Sequence, residues 1–546
     1  MCWLETTIER HLALGIGAVL AIRLASRVGE NHGALLAKLT DRQASKQAMI
    51  DHLFHLDFDH QRGLQEQLRE SLVSTILGGG FPADEPLPSC RKLSQQLSIS
   101  RNTVALVYES LLDNGYLVSR PRSGYYLHPD YCGAEFDDCV LRMTPQRQPE
   151  HSDDGIGERA PNWAARFKMQ PSLKHGVLRP SNWPGFTYPF VYGQPIRDLF
   201  PLERWREVSR NTLRSERDQG WMRDRFDRDD EMLVEQLRTR VLPKRGIWAR
   251  ADEILVTLGS QNALYLLATL LMGKGVKVAV ENPGFRDALS IFDLQGAQVQ
   301  LQDIDREGLV VDSRLNDCEY LYVTPGHQVP TGIAMSSERR GELLRQIREH
   351  DQVLIEDDYD AELNLDNHPQ PALKASDSHG RVIYLSSLSK AFSPGLRIGY
   401  MVADAELIDE LRALRRLMYR HPPLNNQRML AEFLAQGHYD AHLRRFREEH
   451  ARRREALNAA LSEYLPRCEH VGSPGASAFW LAAPVGVDTQ KLAWAAAQQS
   501  VLIESGAQFF FGQHVPANFM RLGFHAIDAE RIRPGIRVLG EVLERL

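Results

Sequence analysis

Cysteine is sparse in this chain, and the six cysteines that occur are widely separated. None of them forms a C-x-x-C pair, and Cys132 and Cys139 stand too far apart for a common zinc knuckle. The spacing therefore predicts no metal site. It is typical of a protein whose thiols stay reduced in the cytoplasm.

An excess of positive charge is also missing, since the formal net charge is −6 at pH 7. A protein that is basic throughout is thereby excluded, so any binding of DNA must come from a local basic patch. The chain has 546 residues, of which 43% are hydrophobic and 25% charged. These values are typical of a globular protein with two or three domains.

No hydrophobic run is long enough to span a bilayer. Residues 12–22 are apolar, but a membrane helix needs a longer run, and Glu5 and Glu9 precede it, unlike in a secretory signal. We therefore expect no membrane partner. Residues 1–59 are predicted to be an N-terminal extension without an assigned role, either an extra helix or an upstream stretch if the natural start is Met49.

Residues 60–128 have the pattern of a helix-turn-helix followed by a wing. Ser89 and Ser100 are placed to cap the second and third helices. Apolar side chains recur at helical spacing through residues 104–112, and residues 116–127 are predicted to form two strands. The sequence thus predicts a small winged helix in this part of the chain.

The predicted third helix would be the one that reads DNA. The N-terminal residues of a recognition helix meet base edges, and basic residues near it contact phosphates. The candidate DNA-binding residues are Arg91, Ser100, Arg101, Asn102, Thr103, Arg120 and Arg122. The alternative is a small helical dimerisation domain with ordinary surface charges, because helix-turn-helix patterns produce many false positives.

A second pattern begins after residues 129–184, which are rich in Pro, Asp, Ser and Arg and are predicted to be a linker. From residue 185 to 546, apolar strands alternate with helical stretches, which predicts an α/β domain with a mostly parallel sheet. Ligands of such sheets bind at the carboxyl ends of the strands. The polar residues that follow each strand are therefore candidate site residues.

Lys390 is the most informative of these candidates. It lies on a turn after an apolar strand. Ser387 and Ser389 precede it, and Arg397 follows it. An amine in such a place can hold an aldehyde cofactor that carries a phosphate. Other strand ends supply Ser260, Gln261, Phe285, His327, Asp357 and Tyr359. A helix start suits a phosphate, and a carboxylate can keep a pyridine nitrogen protonated, although each residue alone also has a structural explanation.

The two halves of the chain resemble two known families. Residues 61–128 resemble the winged helix of the GntR regulators through Leu87-Pro-Ser-Cys-Arg-Lys-Leu, Ser100-Arg-Asn-Thr-Val, Tyr108-Glu-Ser-Leu and Gly115-Tyr-Leu. Residues 185–546 resemble fold-type-I pyridoxal phosphate enzymes of the class I aminotransferase kind. The combination is similar to the MocR/GabR-like branch of the GntR family, of which Glu356-Asp-Asp-Tyr-Asp is typical.

This resemblance implies that the chain binds pyridoxal 5'-phosphate and that Lys390 forms a Schiff base with it. It implies that Asp357 pairs with the pyridine nitrogen, that Tyr359 approaches the phenolic oxygen and that Phe285 stacks on the ring. The implied phosphate ligands are Ser260, Gln261, Ser387, Ser389 and Arg397. Arg521 is implied to bind the carboxylate of a substrate or effector, as a bidentate guanidinium can.

Two residues that aminotransferases of this kind usually carry are missing. Val329-Pro-Thr-Gly replaces Asn-Pro-x-Gly, so the asparagine that bonds the phenolic oxygen is absent, and His327 or Gln328 is expected to substitute for it. The tyrosine that a partner subunit usually extends to the phosphate has no equivalent in residues 221–230. Both departures argue against efficient transamination and leave cofactor capture intact.

We therefore expect a head-to-tail homodimer that binds operator DNA and senses a small amino compound through aldimine exchange at Lys390. The alternative is a pyridoxal-phosphate-dependent aminotransferase with an accessory DNA-binding domain. A third hypothesis is a sensor of the free cofactor that has no amine effector.

Overall fold

The fold is taken from a computed structural model. It describes residues 58–59, 62–77, 81, 85–121, 123–131, 161–174, 176, 180–214, 221–363, 370–388, 390, 392–471 and 475–546. Two candidate site residues, Arg122 and Ser389, and the apolar run 12–22 lie outside these described residues. The described residues up to Pro161 form one compact unit, and those from Asn162 onward form another. The domain limits given above remain predictions.

The first unit consists of three helices and a two-stranded antiparallel sheet. These elements are α1 (Leu64–Leu77), α2 (Cys90–Gln96), α3 (Arg101–Asp113), β1 (Leu117–Arg120) and β2 (Gly124–Leu127). Helix α2 begins after Ser89 and helix α3 after Ser100, whose side chains accept hydrogen bonds from the backbone N–H groups of Lys92 and Thr103. Such caps satisfy amide groups that have no partner within the helix.

The sheet of the first unit is a wing that is anchored to the helices. The backbone N–H of Leu87 donates to the carbonyl of Tyr125 at 2.7 Å, which ties β2 to the segment before α2. The hydroxyl of Tyr108 on α3 donates to the carbonyl of Pro88 at 2.9 Å. These contacts fix the wing and α3 relative to each other, and the predicted winged helix is confirmed.

The second unit contains the remaining elements. Its helices are α4 (Leu202–Arg214), α5 (Glu231–Gln236), α6 (Ser260–Leu271), α7 (Arg286–Leu294), α8 (Ser337–Glu349), α9 (Ala405–Tyr419), α10 (Leu424–Ala435), α11 (His438–Tyr464), α12 (Thr489–Gln498) and α13 (Ala529–Leu543). Its strands are β3 (Tyr188–Pro189), β4 (Ile254–Thr257), β5 (Lys277–Asn282), β6 (Gln298–Asp305), β7 (Gly308–Leu309), β8 (Tyr320–Val323), β9 (Val353–Asp358), β10 (Val382–Ser387), β11 (Gly399–Val402), β12 (Glu469–Val471), β13 (Ala478–Ala482), β14 (Val501–Leu502), β15 (Glu504–Ser505) and β16 (Phe519–Gly523).

Eight of these strands form one sheet in the order β4-β11-β10-β9-β8-β5-β6-β7. Strands β10, β9, β8, β5 and β6 run parallel to their neighbours in this series, whereas β11 is antiparallel to both β10 and β4. Strands β8 to β10 are buried along nearly their whole length, as expected of a parallel sheet covered on both faces. The predicted α/β fold with a mostly parallel sheet is confirmed.

A second, antiparallel sheet has the order β12-β13-β16-β15. The short strand β3 lies outside it and pairs in parallel with β14. The backbone carbonyl of Phe190, just after β3, accepts a hydrogen bond from the N–H of Gly523 at the end of β16. This bond holds the next residue of the chain, Val191, and Tyr192 beside the second sheet.

The helices of the described part of the chain were also considered for a membrane span. None of them is both long enough and apolar enough to cross a bilayer.

Candidate cofactor site and DNA-binding surface

Lys390 lies against the ring and hydroxyl of Tyr192. Its Nζ is 3.3 Å from Tyr192 Oη and 4.4 Å from the centre of the Tyr192 ring. Burial opposes protonation of the amine, but Tyr192 and the nearby carboxylate of Asp360 outweigh burial and raise the pKa of Lys390. Burial also raises the pKa of Tyr192, so its phenol is neutral at pH 7. The amine is thus held in place by a neutral hydroxyl.

Asp357 is the last residue but one of β9 and carries an unused acceptor. Its Oδ2 accepts a hydrogen bond from the hydroxyl of Tyr322 at 2.8 Å. Its Oδ1 is buried and has no hydrogen-bond partner among the described residues. Burial raises the pKa of this carboxyl to about 7. A buried oxygen without a donor is unfavourable, so Asp357 is suited to accept a proton or an N–H from a ligand.

The two acids on either side of Asp357 in the Glu356-Asp-Asp-Tyr-Asp motif have structural roles. Glu356 accepts hydrogen bonds from two successive backbone N–H groups after Ala372, at 2.8 and 2.9 Å. Asp358 accepts from Arg245 at 2.7 Å and from the hydroxyl of Tyr384 at 2.8 Å. Both acids thus brace the sheet, and neither is directed to Lys390 by these contacts.

Asp360, the last acid of that motif, lies beside the lysine. Its Oδ2 accepts a hydrogen bond from Ser477 Oγ at 2.7 Å and a longer one from Tyr192 Oη at 3.4 Å. Its Oδ1 is buried without a hydrogen-bond partner among the described residues. Asp360 therefore balances the positive charge of Lys390 from within the protein.

The turn before α6 forms a cradle that suits an anion. Gly259 has a φ of 96°, and a Cβ at this position would lie 2.9 Å from Nη2 of Arg397. The same Nη2 donates to the carbonyl of Leu258 at 2.6 Å. The free N–H groups of the first turn of α6, which begins at Ser260, therefore lie next to a guanidinium.

Strand register brings a further candidate to this cradle. Ser387, the last residue of β10, is paired with Gly399, which is paired in turn with Thr257 two residues before Gly259. Gly399 approaches so closely that a Cβ there would lie 2.6 Å from the Cα of Gly259. The register thus places Ser387 and the turn that carries Ser260 at the same edge of the sheet, beside Arg397, and their role as phosphate ligands stays a prediction.

Other predicted phosphate and ring ligands lie near α7. Gln261 is exposed and donates to Asp287 Oδ2 at 3.2 Å. Phe285 is half-buried directly before α7 and packs against the hydrophobic core beneath the sheet. The stacking role of Phe285 stays a prediction.

The loop that lacks the usual asparagine is held by its own side chains. The Gln328 amide donates to the carbonyls of Pro283 and Val329, and its Oε1 accepts from the N–H and hydroxyl of Thr331. Gln328 is therefore committed to the loop. The hydroxyl of Tyr359 donates to the backbone carbonyl of His327 at 2.7 Å. Gln328, one of the two expected substitutes for asparagine, is thus engaged by its own loop, and the role of His327 stays a prediction.

Arg521 lies in the same pocket as Tyr192. Its Cζ is 4.2 Å from the centre of the Tyr192 ring and 4.3 Å from that of Phe509. Its Nε donates to Oε2 of Glu504 at 2.7 Å. A small pocket is bounded in part by Tyr192, Tyr359 and Arg521, and the amine of Lys390 lies against the rings of both tyrosines.

Sequence patterns did not reveal Tyr192, Asp360 or Glu504 as site residues. Tyr192 precedes the strand motifs and is 198 residues from Lys390, and Glu504 meets Arg521 only through the pairing of β15 with β16. Asp360 is the last residue of the Glu356-Asp-Asp-Tyr-Asp motif, but the motif alone indicates no role for it. No periodicity signals these contacts. Only the position of Asp360, two residues beyond the end of β9, gave a hint of a site.

The DNA-binding candidates lie on the surface of the first unit. Arg91, Arg101, Asn102 and Arg120 are exposed. Ser100 and Thr103 bond to each other as well as through the cap, with their hydroxyl oxygens 3.0 Å apart. The guanidinium of Arg120 lies 4.1 Å from the ring centre of Tyr126. Exposed cations thus flank the start of α3, where base-reading residues are expected.

Comparison with known families identifies both units. Residues 218–539 match the family model for aminotransferase class I and II, and residues 64–127 match that for bacterial regulatory proteins of the gntR family. The second unit therefore has the aminotransferase class I and II fold, and the first is a GntR-type winged helix.

Relatives with the same combination cover nearly the whole chain. The chain is 36% identical to the HTH-type transcriptional regulator TauR of Rhodobacter capsulatus, over 88% of this chain and 97% of that protein. It is 30% identical to the probable rhizopine catabolism regulatory protein MocR of Rhizobium meliloti, over 89% and 94%. The chain belongs to this family of HTH-type regulators that carry an aminotransferase-like domain, and the resemblance predicted from its motifs is confirmed.

Solved structures match the second unit. The α-aminoadipate aminotransferase LysN of Thermus thermophilus, solved with N-(5'-phosphopyridoxyl)-L-leucine, has a TM-score of 0.63 and 28% identity. The match covers 70% of this chain and 98% of LysN. This relative thus carries a phosphopyridoxyl group on the same fold, which makes such a cofactor the expected one for the family.

Proposed function

We propose that this protein is a DNA-binding transcriptional regulator that uses pyridoxal 5'-phosphate to sense an amino compound. The observation that carries the proposal is the joining of two sites in one chain. Tyr192 contacts both Lys390 and Arg521 in the second unit, and the exposed Arg101 and Asn102 begin the recognition helix of the winged helix. A metabolic enzyme has no need of the second site.

The residues present suit the cofactor. When bound, it supplies an aldehyde that bonds reversibly with amines and a pyridine ring that withdraws electrons. The unpartnered Oδ1 of Asp357 matches a protonated ring nitrogen, and the N-terminus of α6 with Arg397 matches a phosphate. We assign Ser260, Gln261, Ser387 and the undescribed Ser389 to the phosphate as well. Phe285, His327 and Tyr359 are assigned to the ring and its phenolic oxygen.

Sensing would arise from competition between two amines. Lys390 would hold the cofactor through its amine, an effector's amine would compete for the same bond, and the hydroxyl of Tyr192 would hold the amine of Lys390 when it is released. An acid group on the effector would bind Arg521 across the same tyrosine ring. Because the effector contacts one conformation better than another, it shifts the protein between DNA-binding states.

We further propose that the protein acts as a head-to-tail homodimer on operator DNA in the cytoplasm. A face of the second unit supports a partner copy. Met222 and Phe226 are 66% and 41% exposed, and Leu417 and Met418 at the end of α9 are 73% and 44% exposed. The guanidinium groups of Arg420 and Arg416 lie 5.2 and 6.0 Å from the centre of the Phe226 ring, so Phe226 lies beside the C-terminal end of α9.

Lys390→Ala tests the proposal directly. We expect the variant to lose the visible absorbance of the lysine-linked cofactor and the amine response of operator binding, while operator affinity itself persists. Lys274→Ala, which changes an exposed lysine, is the matched control and should retain both. An amine response that survives in Lys390→Ala would refute covalent sensing.

An aminotransferase with an accessory DNA-binding domain is the second candidate. It is favoured by relatives such as the 2-aminoadipate transaminase of Thermus thermophilus, which is 29% identical over 70% of this chain. Steady conversion of an amino acid and a keto acid at about 1 per second or faster would establish it. Operator binding titrated with the cofactor alone separates both candidates from a sensor of the free cofactor.

A further inference from the structure

Arg521 does not face the pocket as an isolated cation. Glu504 stands directly opposite it in the pairing of β15 with β16, and its Oε2 accepts from Arg521 Nε at 2.7 Å. Both side chains are almost fully buried, at 5% and 4% exposure. The two therefore form a buried ion pair with no net charge, one member of which lines the pocket.

The surroundings leave one edge of the guanidinium for a ligand. Tyr192 and Phe509 lie within 4.3 Å of Cζ, measured to their ring centres, and Glu504 occupies the Nε edge. A guanidinium carries five N–H donors in a rigid plane, and the donors at its end can still bind two acceptor oxygens. The acceptor oxygens of an effector would therefore accept hydrogen bonds from the two terminal nitrogens of Arg521, Nη1 and Nη2.

The charge of Glu504 also affects which group is preferred. An anionic group at Nη1 and Nη2 is attracted by Arg521 and repelled by the carboxylate that the same guanidinium already binds. A neutral acceptor, such as a carboxamide oxygen, gains the hydrogen bonds without this repulsion. In a buried site the repulsion is weakly screened, so it has a measurable effect on selectivity.

We propose that Glu504 is a specificity-determining residue of the effector site. It holds Arg521 for end-on recognition and reduces the preference for an anionic group, so that short amines with either a carboxylate or a carboxamide are accepted. This inference rests on the proposed sensing function. A purely structural role for the ion pair would not predict any dependence on effector charge, and buried ion pairs contribute little to stability by themselves.

The test compares Glu504→Gln with the unaltered protein, using matched amines. The probes are glycine, β-alanine and 4-aminobutanoate, each beside its own carboxamide, and affinity is read from the change in cofactor absorbance. Glutamine keeps the acceptor for Nε and removes the charge. We expect the ratio of carboxylate to carboxamide affinity to rise roughly tenfold in Glu504→Gln, because one buried unit charge is lost.

Two further variants isolate the role of charge. Glu504→Asp restores the negative charge and should return the ratio toward that of the unaltered protein. Glu463→Gln changes an exposed partner of Arg533 and should leave the ratio unchanged.

The possible outcomes separate this inference from the function on which it rests. A ratio that is the same in Glu504→Gln and the unaltered protein, or equal losses of affinity for both amines of a pair, would overturn the role of Glu504 alone. If no amine of the series changes the absorbance or the operator binding of the unaltered protein, both the proposed sensing function and the proposed role of Glu504 are contradicted.

Discussion

The winged helix and the cofactor site achieve recognition in opposite ways. The DNA-binding candidates are close together in sequence and exposed, with Arg101 and Asn102 adjacent at the start of α3. The cofactor candidates come from five strands and the loops after them, and His327, Asp357 and Ser387 among them are buried. Asp357, for example, is 4% exposed. A surface that reads DNA needs local chain geometry alone, whereas a pocket for a small molecule needs the whole sheet.

This difference predicts that the two sites can be disturbed independently. Changes at α3 should alter DNA binding and leave cofactor absorbance intact, and changes in the pocket should do the reverse. Only the response of DNA binding to amines requires both sites. Each of the following experiments tests one side of this separation.

The largest expected effect is a loss of stability of the second unit as the pH rises. Burial raises the pKa of Glu281, Glu356, Asp357 and Glu362 to about 7, from 3.8 for aspartate and 4.5 for glutamate. The folded chain therefore keeps protons that the unfolded chain has released. These groups give their full contribution to stability below about pH 4, and that contribution is lost by about pH 7. For each group the free energy of unfolding falls by up to about 1.4 kcal/mol per pH unit in this range.

The fluorescence of tryptophan reports chiefly on the second unit, because every tryptophan of the chain except Trp3 follows residue 161. We expect the cofactor-free chain to unfold at a higher temperature at about pH 5.5 than at about pH 7.5. Asp357→Asn should make the dependence shallower. A midpoint that rises over this interval would show that these carboxyls are not held protonated by burial.

Arg397→Ala should weaken cofactor binding by about 100-fold, because a charge-assisted contact to phosphate is lost beside the turn at Gly259. Arg397→Lys keeps the charge without the planar guanidinium, and its cofactor affinity should lie between those of the unaltered protein and Arg397→Ala. An absorbance titration measures both affinities, and operator affinity of the cofactor-free chain should be the same in all three proteins. Unchanged cofactor affinity would remove Arg397 from the site.

Arg101→Ala should weaken operator binding by about 10- to 100-fold and relax the preference for the operator over other DNA. Arg120→Ala is the comparison, since a phosphate contact should weaken binding to all sequences alike and lower the salt dependence by about one counterion. Fluorescence anisotropy at several salt concentrations distinguishes the two. If Arg101→Ala lowers only non-specific affinity, the residue does not read bases.

The smallest effect is expected at Ser100, which both caps α3 and lies at the presumed DNA surface. Ser100→Ala should cost the winged helix about 1 kcal/mol, because the cap to Thr103 N–H is lost. Ser100→Asp should restore the cap and yet bind DNA less well, since it adds a negative charge. Hydrogen exchange in α3 reports stability. Equal exchange in all three proteins would mean that the cap is unimportant.

Sequence reasoning was sufficient where function follows from local order. The capping residues Ser89 and Ser100 and the alternation of strands with helices have short-range signatures, and the predicted winged helix and α/β fold are confirmed. Strand register also brings Ser387 and the turn before Ser260 to one edge of the sheet, and their role in a phosphate site stays a prediction.

Sequence reasoning was insufficient where a contact depends on how distant segments pack. Tyr192 reaches Lys390 because β3 pairs with β14 and the next residues bond to β16, which no local pattern encodes. The sequence offers Gln328 and His327 alike as substitutes for asparagine, but the side-chain amide of Gln328 is hydrogen-bonded to the backbone of Pro283 and Thr331. Which polar side chain remains available for a ligand is decided by packing.

On the proposed function, Oδ1 of Asp357, which has no partner among the described residues, would also link the amount of this protein in a cell to the supply of cofactor. A ligand that binds the folded chain alone favours folding by mass action, and the gain grows with the logarithm of its concentration. Chains formed when the cofactor is scarce would keep that buried acceptor unsatisfied. They would unfold more often and be degraded sooner, so vitamin B6 status would set how many copies of the regulator survive to read DNA.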